Sequence, residues 1–147
     1  MKKTLAVGCD HGGFSLKEAL VPYLRREGWR VRDFGTFSEA SMDYPDTAAR
    51  VARAVGTGRA GWGILICKSG IGNSIVANKI KGVRAALCYN LKAAQLSRRH
   101  NDANVLVLGA LFVSAPKAKK ICTLWLKTHF EGGRHRRRLK KIEGIEK

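Results

Sequence analysis

Apolar and β-branched residues gather in five short runs along the chain, at residues 4–9, 30–34, 63–67, 84–88 and 104–108. Between them lie stretches whose apolar residues recur at helical spacing, at 15–27, 46–55, 74–79, 91–99 and 115–130. Strand-like and helix-like segments that alternate in this way predict βαβ units and a parallel sheet covered by helices. The runs show little apolar–polar alternation, as expected of strands buried on both faces. Beyond Gly132, Leu139, Ile142 and Ile145 keep helical spacing within a basic stretch. This predicts a terminal helix with an apolar stripe rather than a disordered arm.

In open parallel sheets, ligands bind beyond the carboxyl ends of the strands. Reading those ends gathers Asp10 and His11, the stretch Cys67 to Gly72, Tyr89-Asn90, and Gly109. The segment Gly63-Ile-Leu-Ile-Cys67-Lys68-Ser69-Gly70-Ile71-Gly72 is the most specific of these. It puts a thiol at a strand end, followed by a glycine turn and a helix-compatible segment. Free backbone N–H groups at such a turn bind anions and lower the pKa of a nearby thiol. Cys67 is therefore expected to act as a base, with the Ser69 hydroxyl and the amides of Ser69 to Gly72 steadying an oxyanion. The plainer reading of Ser69 is a helix cap, and that of Asp10 a residue capping the next helix.

Two common phosphate loops are excluded. No G-x-x-x-x-G-K-[ST] string occurs, and Gly70-x-Gly72 is followed by Ile75 where a dinucleotide loop has its third glycine. Nicotinamide and flavin chemistry are not expected. Cys9, Cys67, Cys88 and Cys122 form no C-x-x-C pair and have no zinc spacing with the histidines. Cys9, Cys88 and Cys122 read as buried reduced thiols. No metal or cofactor is expected.

The 147 residues suit one domain, taken as 1–147. No apolar stretch approaches the roughly 20 residues that span a bilayer. The opening residues imitate a signal peptide only briefly, because Asp10 and His11 interrupt the apolar part; they read as the first strand of a cytoplasmic protein. The net charge is +17, with 28 Lys and Arg against 11 Asp and Glu. Part of the excess is local, since residues 116–147 hold 11 basic and 3 acidic side chains. Charge of this size suits an anionic ligand, or loose RNA association as a basic polyanion-binding module. An aromatic cluster for base stacking is missing from the sequence, so no specific nucleic acid partner is expected. Arg134 and Arg138 are four apart on one helix face, a spacing that suits a phosphate. His100-Asn101-Asp102 reads as a loop before the last strand.

Several motifs in order resemble the ribose-5-phosphate isomerase type B family, within the wider ribose/galactose isomerase group. They are Gly8-Cys-Asp10-His11-Gly12-Gly13-Phe14, Asp43-Tyr44-Pro45, the Cys67 segment, Ala77-Asn78-Lys79, Arg84-Ala85, His100-Asn101-Asp102-Ala103-Asn104-Val105 and Glu131-Gly132-Gly133-Arg134-His135. The resemblance implies a Rossmann-like α/β/α sandwich with a five-stranded parallel sheet. It also implies a metal-free aldose–ketose isomerase of the non-oxidative pentose phosphate pathway. Such an enzyme interconverts D-ribose 5-phosphate and D-ribulose 5-phosphate through an enediolate. Carried over by motif, Cys67 moves the proton between C1 and C2, and His100 opens the furanose ring with help from Asp10. Ser69, Gly70, Ile71 and Gly72 hold sugar and enediolate oxygens, and Asn101 contacts the sugar. His11, Arg134 and Arg138 bind phosphate. Sites between subunits of a homodimer or a tetramer are implied, with the segment 132–147 packing on the partner.

Two departures stand out. Gly109-Ala110-Leu111 replaces a usual Gly-Ser/Ala-Arg, which removes one expected phosphate ligand worth about 1.5–3 kcal/mol. Lys68 occupies a turn position that is often glycine and is a candidate replacement for the lost charge. The Leu111 departure keeps a hexose 6-phosphate isomerase, acting on allose or galactose 6-phosphate, as the alternative.

Overall fold

Side chains on successive strand residues point to opposite faces, so a strand buried on both faces feeds two cores at once. The computed structural model, which describes residues 4–146, has this arrangement at its centre. Met1–Lys3 of the signal-like opening and Lys147 of the terminal segment lie outside the described residues. The strands are β1 (Thr4–Cys9), β2 (Arg30–Asp33), β3 (Trp62–Cys67), β4 (Ala85–Leu87) and β5 (Val105–Gly109). They form one sheet in the order β2-β1-β3-β5-β4, and every pairing is parallel.

The helices are α1 (Phe14–Arg26), α2 (Tyr44–Gly56), α3 (Ile71–Ala77), α4 (Leu91–Asn101), α5 (Ala115–Lys127) and α6 (Arg134–Glu143). Leu5, Val7, Ile64, Ile66, Leu106 and Leu108 face a core shared with α1, α4 and α5. The intervening Ala6, Leu65, Val105 and Val107 face the core under α2 and α3. Five of the expected strands and all six helices are present, with ends displaced by a few residues. Helix α3 begins at Ile71, three residues before the expected start. Gly70 at φ 86° is its N-cap, and this left-handed turn lets the chain enter the helix at once. Ile71 and Gly72 therefore belong to the first helical turn rather than to the loop.

Two buried cations brace the ends of the sheet. Lys17 of α1 is fully buried and donates to both Asp33 carboxylate oxygens, at 2.9 and 2.7 Å. Asp33 Oδ1 also accepts the Gly35 N–H, which holds the loop after β2. At the opposite edge, Arg98 packs over the Trp62 and Trp125 rings, which meet edge-on. Its Nη1 donates to Asp102 Oδ1 at 2.9 Å and to the Ala103 carbonyl at 2.6 Å. That network pins the last turn of α4 against the start of β5. His100 is thus the penultimate helical residue, not a loop residue as its neighbours suggested. The buried Arg98 behind it supplies packing that the local sequence does not reveal.

The terminal helix α6 lays Leu139 and His135 into its own chain, while Ile142 and Ile145 stay exposed. Glu146 accepts the Gly82 N–H and ties the helix end to the loop before β4. Among the described residues, no helix is long and apolar enough to cross a membrane.

Candidate active site

Cys67 closes β3 beside Gly109 of β5, at the carboxyl edge of the sheet. Glycine at 109 is required there, because a Cβ would overlap the Ser69 carbonyl. The turn is held on both sides. The Ala110 and Leu111 N–H groups donate to the Cys67 and Lys68 carbonyls at 2.9 and 3.0 Å. The Tyr89 hydroxyl donates to the Ser69 carbonyl at 2.8 Å, and its ring packs on Phe112.

Within this frame the Gly70 N–H donates to Cys67 Sγ at 3.1 Å. The Asn73 and Ser69 amides act on the same sulfur. These donors were expected to lower the thiol pKa. The net shift is upward, because burial outweighs them and the Asp10 carboxylate opposes ionisation further. The cause is tertiary: the flanking strands and α3 leave Cys67 only 6% exposed. Ser69 Oγ accepts the Ile71 N–H at 3.1 Å, so its hydroxyl braces the helix entry while its proton remains free to donate.

Asp10 follows β1 and accepts the Gly13 N–H on Oδ1 at 3.1 Å, which caps the short 3-10 turn His11–Gly13 leading into α1 rather than α1 itself, whose N-cap is Gly13. It is buried, and its charge reaches the Cys67 thiol. His11 is exposed next to it and accepts the Met42 N–H on Nδ1 at 3.2 Å. Neutral His11 then carries its proton on Nε2, leaving a donor for an anion. Gly12 lies against Lys68, whose side chain is exposed on the same rim. Leu111 is 63% exposed there.

His100, Asn101, Arg134 and Arg138 are elsewhere. Helix α4 runs back against the strand direction and ends just before β5 begins at Val105, level with Gly63 at the start of β3. The four residue steps of β3 from Gly63 to Cys67 separate that edge from Cys67 by roughly 13 Å at about 3.3 Å per residue. Within one chain the candidates therefore form two groups on opposite edges. The first holds Asp10, His11, Lys68 and Cys67 to Gly72; the second holds His100, Asn101, Arg134 and Arg138.

Sequence reasoning passed over four residues of these groups. Asn73 is buried, and neither its Oδ1 nor its Nδ2 has a hydrogen-bond partner among the described residues. Tyr89 had been noted only as a strand end. Glu131 and His135 join His100, with the His100 and His135 rings stacked at 4.3 Å between centroids. Glu131 is held below the usual carboxylate range, first by its hydrogen bond from Arg99. Burial, then His100 and Arg134, hold His135 below the usual imidazole range. Both had appeared only within the motif Glu131-Gly132-Gly133-Arg134-His135, with no role attached to either.

Sheet order, and a thiol at the carboxyl edge beside an amide-lined turn, place the chain in the open parallel α/β class, whose ligands bind at that edge. The sequence profile described as Ribose/Galactose Isomerase matches residues 5–142, and the chain belongs to that family. It is 49% identical to ribose-5-phosphate isomerase B of Escherichia coli over 98% of this chain and 97% of the relative. The solved ribose-5-phosphate isomerase B of Clostridium thermocellum superposes with a TM-score of 0.95 at 47% identity, covering 97% and 96% of the two chains. The Mycoplasma genitalium ribose-5-phosphate isomerase B, solved with bound ribulose-5-phosphate, superposes with a TM-score of 0.92 at 42% identity, covering 96% and 94%.

Proposed function

We propose that this chain interconverts D-ribose 5-phosphate and D-ribulose 5-phosphate by proton transfer through an enediolate, in a site completed by a second copy of the chain. The observation that carries the reading is the Cys67 thiol, set against the Gly70 N–H and beside Asp10 in a family of sugar-phosphate isomerases. The Cys67 thiolate takes the proton from C2 of the open-chain aldose. The C–H electron pair forms the C1–C2 double bond, and the carbonyl becomes an enediolate oxygen facing the amides of Ser69 to Gly72. The O2 hydroxyl proton passes to O1, the thiol returns its proton to C1, and the C1–C2 double bond shifts to a C2 carbonyl, which leaves C1 as the hydroxymethyl group of the ketose. The buried Asn73 amide is placed to meet a sugar hydroxyl that would satisfy it.

The group of His100, Asn101, Arg134 and Arg138 is supplied by the second copy, because the strand length keeps it from Cys67 within one chain. His100 opens the furanose, Asn101 contacts the sugar, and Arg134 and Arg138 bind phosphate together with His11. Exposed Ile71 and Ile75, four apart on α3, and exposed Leu111 and Phe112 surround the turn with apolar surface that suits such a copy. Closure would also bring positive charge to a thiol whose pKa burial has raised, which favours the thiolate where it is needed.

Steady-state turnover of ribose 5-phosphate against allose and galactose 6-phosphates tests the substrate. Pentose turnover well above hexose turnover is expected. A second reading, a hexose 6-phosphate isomerase, rests on exposed Leu111 in place of a cation, and hexose turnover equal to or above pentose turnover would establish it. Cys67→Ala is expected to abolish exchange of the C2 proton while the substrate still binds; near-normal exchange would move the base elsewhere.

A further inference from the structure

The edge group around His100 contains a convergence of ligand atoms of which the isomerase reading uses only that of His100. His100, Glu131 and His135 each offer one ligand atom, and these lie within 4.8 Å of one another. Arg99 engages Glu131 through Oε2, leaving Oε1 3.9 Å from His100 Nε2 and 3.6 Å from His135 Nε2. His135 is 6% exposed, and its Nε2 is buried without a hydrogen-bond partner among the described residues. A buried ring nitrogen left unmatched beside a carboxylate is an anchor that lacks its ligand.

We propose that His100, Glu131 and His135 form a binding site for a zinc-like divalent transition metal, and that its occupation reversibly shuts off turnover by withdrawing His100. The inhibitory half rests on the placement of His100 in the active site; the binding half does not.

Two imidazole nitrogens and one carboxylate oxygen form a donor set for borderline metals such as Zn²⁺, with water as the fourth ligand. Hard Mg²⁺ and Ca²⁺ favour oxygen ligands and are poorly matched. Bonds of about 2.0–2.2 Å bring tetrahedral ligand atoms to about 3.3–3.6 Å apart, so the widest separation in the cluster must close by up to about 1.5 Å. The stacked rings point their lone pairs side by side, so one ring must turn. His100, half-buried in the last turn of α4, can turn, while buried His135 stays as the anchor. Arg99, Arg134 and Arg138 nearby oppose a cation, which weakens binding and suits a reversible inhibitor rather than a resident cofactor.

Calorimetric titration of the chelator-treated, full-length protein with Zn²⁺ tests the site. One ion per chain is expected, retained in Cys67→Ala and weakened by about tenfold or more in both His135→Gln and Glu131→Gln. Because Glu131 is exposed, its variant serves if His135→Gln fails to fold. Co²⁺ in place of Zn²⁺ should give visible bands without thiolate charge transfer. Saturable binding absent up to about 1 mM, binding unchanged in both variants, or binding lost in Cys67→Ala would overturn the site. Zn²⁺ should inhibit over the same range, with chelator restoring activity. Binding without inhibition would leave the metal site standing and overturn the withdrawal of His100.

Discussion

Cys67 and His100 occupy opposite edges of the same sheet, one ending β3 and the other in the last turn of α4. No rotamer change closes a gap set by the length of a strand. If both act on one sugar, they come from different copies of the chain. Mixing Cys67→Ala with His100→Ala therefore tests the shared site. Each variant alone should be nearly inactive. Refolded together, half of the dimers would be mixed, each with one intact site, so about a quarter of wild-type activity should return for a two-fold dimer. A mixture as inactive as its parents would place both residues in sites within one chain.

Burial holds the Cys67 thiol protonated past its ordinary pKa of 9.0 in the free chain. A reaction that needs the thiolate should then show kcat/KM rising with pH, with an apparent pKa above that ordinary value unless closure of the site lowers it. Iodoacetamide reactivity followed against pH, with and without ribulose 5-phosphate, separates the two states. The other three thiols are deeper, with Cys9 and Cys122 pushed up to about 12 and Cys88 to about 11. Mass spectrometry of the native protein should find Cys67 labelled first; earlier labelling of Cys9, Cys88 or Cys122 would contradict this burial.

Gly70 combines a left-handed φ of 86° with no room for a Cβ, which would overlap Leu87 Cδ1. Gly70→Ala should cost about 2–3 kcal/mol of stability through strain and displaced packing. It should also lower kcat more than it raises KM, since the Gly70 N–H touches the reacting thiol. Thermal unfolding together with steady-state kinetics checks both; a Tm and kcat near wild type would mean the turn is softer than described.

Leu111 is exposed on the rim beside Lys68, where its carbon side chain offers nothing to a phosphate. Leu111→Arg should lower KM for ribose 5-phosphate by about tenfold, with kcat little changed, because a phosphate contact adds binding common to substrate and transition state. Lys68→Ala should raise KM only if Lys68 supplies the missing charge. An unchanged KM in both variants would place the phosphate away from this rim.

The alternation of strand-like and helix-like runs, set by how often apolar residues recur, determined the parallel sheet and gathered Asp10, His11 and the Cys67 turn at its carboxyl edge. These are local or topological properties, and a chain read in order carries them. The start of α3 was misplaced because glycine is a poor helix former, whereas here Gly70 takes the one conformation that opens the helix. His100 looked like a loop residue because the anchor of its helix, Arg98 packed over Trp62 and Trp125, is assembled from three distant segments. The sign of the Cys67 pKa shift was decided only in three dimensions, since the amides that favour the thiolate are local while the burial that opposes it comes from packed neighbours. The division of the candidate site into two groups, and the meeting of His100 with Glu131 and His135, likewise depend on where α4 and α6 come to rest. Periodicity reports which way a side chain faces along its own element. Distance between elements, and the dielectric around a charge, exist only once the chain has packed.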